Sequence, residues 1–188
     1  GTRDLMNSNN YQAVFKTRLR EDTKAKASWM TDKDGGYEAV GVGGAITGKG
    51  FKIGIIDDPI KNDEEAESEL MRENIASWYS TTFYTRQEGN AAIVVIQTRW
   101  HDDDLSGRLM LEQVNAEKER LTQYDKWEII NFPAIATKDH KFRKEGDALW
   151  PDKFPLEHLN KTKKVLGPYK WSALYQQNPV DADAQEFK

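Results

Sequence analysis

The sequence predicts an α/β fold: a mainly parallel sheet flanked by helices, with a small helical appendage at its carboxyl end. Three observations predict it. Phe51–Ile56, with Ile53, Ile55 and Ile56, and the uninterrupted apolar run Ala91–Ile96 read as buried strands and hence as parallel neighbours. The stretch between them, Glu64 to about Arg86, carries apolar residues at helical spacing. A second helical stretch and a third apolar run, Trp127–Phe132, continue the alternation, which is the pattern of a doubly wound unit.

The 188 residues suffice for one substantial domain and a small appendage. Six Trp, seven Tyr and seven Phe supply material for a packed core. No apolar run approaches the ~20 residues that cross a bilayer, and the start does not read as a signal peptide. The absence of Cys excludes disulfides and zinc–thiolate sites and fits a reducing cytoplasm. The net charge of −4 argues against a stand-alone non-specific DNA binder, because phosphate neutralisation supplies most of that affinity. Any DNA contact is then local, transient or shared with a neighbouring domain or subunit.

In chain order, Gly1 to Lys26 reads as a helix followed by an irregular segment. Ala27–Thr31 and Tyr37–Val42 read as strands around the turn at Lys33 to Gly36. A glycine-rich loop follows, Gly41 to Gly50, and then the first buried strand, which Pro59 terminates. The next helix places Leu70, Ile75, Trp78 and Phe83 on one apolar stripe. Gly89 and Asn90 read as a turn before the second buried strand. Asp102 or Asp103 is the expected N-cap of a helix through Leu105, Leu109 and Leu111 to about Leu121. Beyond Pro133 the chain turns charged and loop-like, with an extended Trp150–Pro155 segment and two short helices, Leu156–Leu166 and Pro168–Gln177. The tail from Asn178 has little to bury. The expected division is 1–135 as the main domain and 136–188 as an irregular and helical segment.

The strongest chemical signal is Asp57-Asp58, an acidic pair at the carboxyl end of a buried strand, where open α/β sheets place their ligands. In nucleotide hydrolases such a pair holds magnesium and orients attacking water. The competing reading is an acidic turn in which Asp57 caps local amides. The stretch Gly43 to Gly50 fits the spacing of a phosphate loop, but Gly50 stands where Ser or Thr is needed, and a strand rather than a helix follows. It is not a Walker A motif, although Thr47 and Lys49 stay candidates for contacting nucleotide or DNA. Thr98 and Arg99 stand at the second strand end, where such residues can sense a γ-phosphate or couple hydrolysis to movement, but a Thr there is usually just a polar strand terminus. The run His101 to Asp104 suggests a metal cluster, but consecutive side chains diverge, and helix capping accounts for them.

Together these segments resemble the large terminase subunit of tailed bacteriophages and prophages. The stretches that carry the resemblance are Arg3–Ser8, Gly41–Gly50, Ile55–Asn62, Glu65–Ser68, Thr85-Arg86, Thr98–Leu105, Ala148–Pro151 and Trp171–Gln177. The resemblance implies the later part of an ATPase domain, a partial P-loop NTPase core of the ASCE type. It implies a motor that spends ATP to push double-stranded DNA into a capsid in the host cytoplasm. The implied partners are portal protein, small terminase subunit and other copies of the motor subunit, with no membrane. Asp57 is then the Walker B ligand of Mg2+, and Asp58 stands where many relatives have the catalytic Glu, one methylene longer. Thr98 and Arg99 belong to the coupling motif, and Arg86, like Arg99, is a candidate arginine finger.

The resemblance also places the phosphate loop before Gly1 and a nuclease domain near or after Phe187. The expectation is therefore a piece of the ATPase that does not turn over ATP alone. Two alternatives stay open: a metal-dependent nuclease using Asp57, Asp58 and the His101–Asp104 acids, and a non-catalytic assembly module.

Overall fold

The computed structural model describes residues 1–44, 46 and 48–180. They form two units, Gly1–Gly48 and Lys49–Lys188.

The first unit begins with two short helices, α1 (Thr2–Met6) and α2 (Asn9–Val14). Three strands follow, β1 (Leu19–Lys24), β2 (Ser28–Thr31) and β3 (Gly36–Glu38), in an antiparallel sheet of order β1-β2-β3. Strand β1 was not expected, because one Leu among Arg20, Glu21 and Asp22 carries no apolar alternation. Its strand form follows from pairing with β2, and Leu19 joins Met6 and Trp29 in a small core. The turn between β2 and β3 is tied by Thr31, whose hydroxyl accepts the Gly35 N–H at 3.0 Å. Trp29 stacks on Tyr37 across that pair, with ring centroids 5.3 Å apart.

The second unit holds the parallel pair. Strands β4 (Phe51–Asp57) and β5 (Gln87–Ile96) run side by side, from Ile53 opposite Ala92 to Asp57 opposite Ile96. The connection is α3 (Asp63–Glu67), α4 (Glu69–Trp78), a π-helical turn Tyr79–Phe83 and a 3-10 turn Tyr84–Arg86. Gly89 and Asn90 are not a turn before the strand. They lie inside β5, in a bulge where the register shifts and Gly89 takes φ +59°. The Lys52 ammonium donates to the Glu88 carbonyl at 2.7 Å across that bulge.

Gly54 has a packing reason: a Cβ there would lie 2.5 Å from the Phe51 ring and 2.6 Å from Phe83. The absent side chain lets both rings close over the strand, 4.8 Å apart. Ile56, Ile75, Tyr79, Phe83, Leu105 and Leu109 are all buried. Leu70 and Leu111 are exposed instead.

Two expectations about the sheet are corrected. The strands are not covered on both faces: Ile53 is 67% exposed, Ile55 58% and Ile96 53%. The apolar run was read as burial, but only alternate residues face a packed layer. Nor is Trp127–Phe132 a third strand. The Trp127 N–H goes to the Gln113 side chain at 2.6 Å, and Ile129, Ile130 and Phe132 are exposed. An apolar run becomes a strand only where a neighbour satisfies its backbone. Among the described residues the parallel sheet therefore has two strands, and the sheet of the first unit is antiparallel, so the mixed α/β content stands while the mainly parallel sheet does not.

Helix α5 (Leu105–Lys118) follows β5, and α6 (Leu156–Lys170) ends in a π-helical turn, Trp171–Tyr175. Gly167, at φ +74°, and Pro168 divide α6 where the two short helices were expected to meet. Ala148, Leu159 and Trp171 form its core. Trp150–Pro155 is not extended; it folds into turns, with the Phe154 N–H donated to the Trp150 carbonyl at 2.8 Å. The Lys170 ammonium reaches Asp63 and Glu67, which ties the end of α6 to α3.

Candidate functional site at the strand ends

The parallel register puts the carboxyl ends of β4 and β5 side by side. Asp57 ends β4 opposite Ile96, and its carboxylate is exposed. Asp58 follows at φ +41°, a left-handed conformation that Asp tolerates better than most residues. That turn aims Asp58 at the end of β5. Its N–H donates to the Ile96 carbonyl at 2.9 Å, and its Oδ1 accepts the Thr98 N–H at 3.0 Å. Asp57, Asp58 and Thr98 are thus brought together, by backbone register and one carboxylate bond.

Arg99 turns away into a structural pair. Its Nε donates to Asp104 Oδ2 at 2.7 Å, and the Asp104 side chain is fully buried. Asp104 is also the N-cap of α5, accepting the Gly107 N–H at 2.8 Å. The cap is therefore Asp104, rather than Asp102 or Asp103. Burial pushes the Asp104 carboxyl above its ordinary value, against the opposing pull of Arg99. Gly107 is required here, because a Cβ would lie 1.7 Å from the Asp102 carbonyl oxygen.

Asp103 is held by two arginines: Arg72 of α4 at 3.1 Å and Arg108 of α5 at 2.7 Å. Burial works against its charge, but hydrogen bonds from Arg108 and Arg72 hold its carboxyl below the ordinary value. His101 Nδ1 accepts the Asp103 N–H at 3.0 Å and lies 2.8 Å from Asp102. The acidic run is consumed in capping and ion pairing. Among the described residues no group of three or more His, Asp or Glu side chains converges as a metal site needs.

Arg86 and Lys49 lie elsewhere. They precede Gln87 and Phe51, the amino ends of the two strands, whereas Asp57 closes the opposite end. The seven residues of β4 span about 20 Å, so neither belongs to the immediate surroundings of Asp57 in its own chain. The glycine loop leads into β4 and not into a helix, as its sequence context implied. Thr47 lies outside the described residues.

Sequence reasoning missed Arg72, Arg108 and Gln97. Arg72 lacks a local signal, since it meets Asp103 from 31 positions away, whereas Arg108 lies five positions beyond Asp103. Gln97, between the strand end and Thr98, has a buried side-chain amide that lies beside the buried Asp104 carboxyl. The exposed Asp57 carboxylate is a hard oxygen donor on a rigid strand end, which fits one contact to a hydrated magnesium ion.

Residues 9–173 match the model of one protein family, described as terminase large subunit, T4likevirus-type, N-terminal. No curated protein matches the chain. Among the described residues no helix is long and apolar enough to cross a membrane.

Proposed function

The chain belongs to the T4-like terminase large subunit family, N-terminal part, a family of phage DNA-packaging enzymes, and on that premise we propose that it carries the acidic and coupling half of the motor's ATPase site. In this reading ATP hydrolysis is coupled to translocation of double-stranded DNA into the capsid. The observation that carries it is the bond from the Thr98 N–H to Asp58 Oδ1, which joins the two strand ends.

Asp57 is the residue proposed to hold magnesium, through water. The metal, when bound, supplies charge that offsets the phosphates. Asp58 is proposed to orient the attacking water and take its proton. A protonated carboxyl is a weaker acceptor than a carboxylate, so proton uptake by Asp58 loosens its hold on Thr98. Thr98 leads directly to Arg99, Asp104 and the cap of α5. The chemistry at Asp58 is thereby linked to the position of a 14-residue helix.

Thr47 and Lys49 are proposed to touch nucleotide or DNA. Arg86, at the far end of β4, suits the site of a neighbouring copy of the motor better than its own. Portal protein and small terminase subunit are the proposed docking partners. Neither the nuclease nor the assembly-module alternative is favoured by a specific observation.

Single-turnover ATP hydrolysis with magnesium tests the proposal, using this chain with and without a phosphate-loop segment joined upstream. The expected result is hydrolysis by the joined form alone, silenced by Asp58→Ala. An unchanged rate in the joined form with Asp57→Asn would overturn it.

A further inference from the structure

Between α4, α5 and the segment Tyr124–Trp127 there is a cavity of about 370 Å³, within the range of small-ligand sites. It is lined by the aromatic residues Tyr79, Tyr84, Tyr124 and Trp127, with the exposed acids Glu112 and Asp125 at its edge. Tyr79 and Tyr84 pack at 56°, with centroids 5.8 Å apart, so they present two differently inclined ring faces. Arg108 also lines the space, but its guanidinium is matched by Asp103 at 2.7 Å and Glu73 at 3.6 Å. What remains is an aromatic pocket of net negative charge.

We propose that this pocket binds an alkylammonium group, its apolar stem against the rings and its charge beside Glu112 and Asp125. Ring faces carry negative quadrupole density and attract cations within about 6 Å. One ring of the set already does so: Lys126 Nζ lies 5.6 Å from the Tyr124 centroid. The field inside the pocket points the same way. Burial raises the Tyr79 phenol far above its ordinary range, with Asp125 and Glu112 adding to the effect. A hydrogen bond to Asp125 raises Tyr84, and Glu112 adds to that too. Burial disfavours charge of either sign, so the part of these shifts that speaks for a cation is the part due to Asp125 and Glu112. An anion is repelled by these carboxylates, and a neutral alcohol can offer them a single hydrogen bond but no charge.

The ammonium has two possible sources, a free small amine or a lysine side chain of a protein partner. Calorimetric titration of the whole chain with butylammonium, 1-butanol and Nα-acetyl-lysine amide tests the pocket. Butylammonium is expected to bind saturably and 1-butanol not to bind. Glu112→Gln with Asp125→Asn should weaken the ammonium about tenfold without changing the thermal midpoint, since both carboxylates are on the surface. Tighter binding of the lysine amide assigns the source to a partner's side chain, and tighter binding of butylammonium to a free amine. Equal binding of butanol, or no saturable binding of either cation, overturns the proposal. So does an unchanged affinity in the double variant. The outcome is independent of ATP hydrolysis, because none of these residues belongs to the strand-end site.

Discussion

Asp58 and Thr98 meet 40 positions apart in sequence, the Oδ1 of one accepting the backbone N–H of the other at 3.0 Å. Because the donor is backbone, no substitution at Thr98 other than proline removes the bond. Because the acceptor is a carboxylate, its charge can be changed without its shape. Asp58→Asn keeps an oxygen acceptor and a residue type that tolerates φ +41°. The expected outcome is a thermal midpoint close to that of the parent, with hydrolysis lost in the phosphate-loop-joined form. A large fall in the midpoint would mean that Asp58 is chiefly a structural clamp.

Arg99 presents the opposite case. Its partner Asp104 is fully buried, so Arg99→Ala leaves a carboxylate in the interior without its counter-ion. Breaking a buried pair from one side costs on the order of 3–5 kcal/mol. Chemical denaturation of the variant should show that loss. If Arg99→Ala left stability intact but abolished coupled hydrolysis, Arg99 would belong to the reaction rather than to the α5 cap.

Gly107 gives a sharper steric test. A methyl group there would collide with the Asp102 carbonyl, backbone that cannot rotate away. Gly107→Ala is expected to unfold the start of α5 and to cost several kcal/mol, about what severe overpacking costs. In most helices the same change is favourable by about 1 kcal/mol. Circular dichroism melts decide the sign, and a stabilised variant would refute the packing described for this cap.

The legible parts of the chain were those whose signal is local. The strand Phe51–Asp57 announced itself through consecutive Ile residues and Pro59, and the kink of α6 through Gly167-Pro168. The acidic pair was legible because it follows that strand directly. What was not legible depends on distant partners. Leu19 joins a strand only through β2, and Trp127 leaves strand geometry because Gln113 takes its N–H. The choice of Asp104 over its two acidic neighbours as cap rests on Arg99, while Arg72 and Arg108 claim Asp103. An acidic tripeptide alone does not rank its members.

The pH dependence of stability carries the mark of Asp103. Its folded carboxyl lies below the ordinary value, so its contribution is fully present above the unfolded pKa of about 3.9. It is lost as pH falls through the lower folded value, when protonation releases Arg72 and Arg108. The excess stability of the parent over Asp103→Asn should therefore be constant near neutrality and shrink below about pH 4. Urea titrations at several pH values measure it, and an excess that grew on acidification would contradict the ion pairs. Asp104 has the opposite sign, its raised folded value favouring the protonated form, and being common to both proteins it drops out of the difference.

The two faces of β4 supply the last test. Ile56 is 3% exposed and Ile55, one residue earlier, is 58% exposed. Successive side chains on a strand point to opposite faces, so the two differ in surroundings and hardly at all in backbone. Ile56→Ala should cost about 2–5 kcal/mol, the range for deleting a buried Ile. Ile55→Ala should cost less than about 1 kcal/mol, since it removes little that is packed. Equal losses would mean that the outer face is covered in solution, and a concentration-dependent midpoint would then attribute the cover to a second copy.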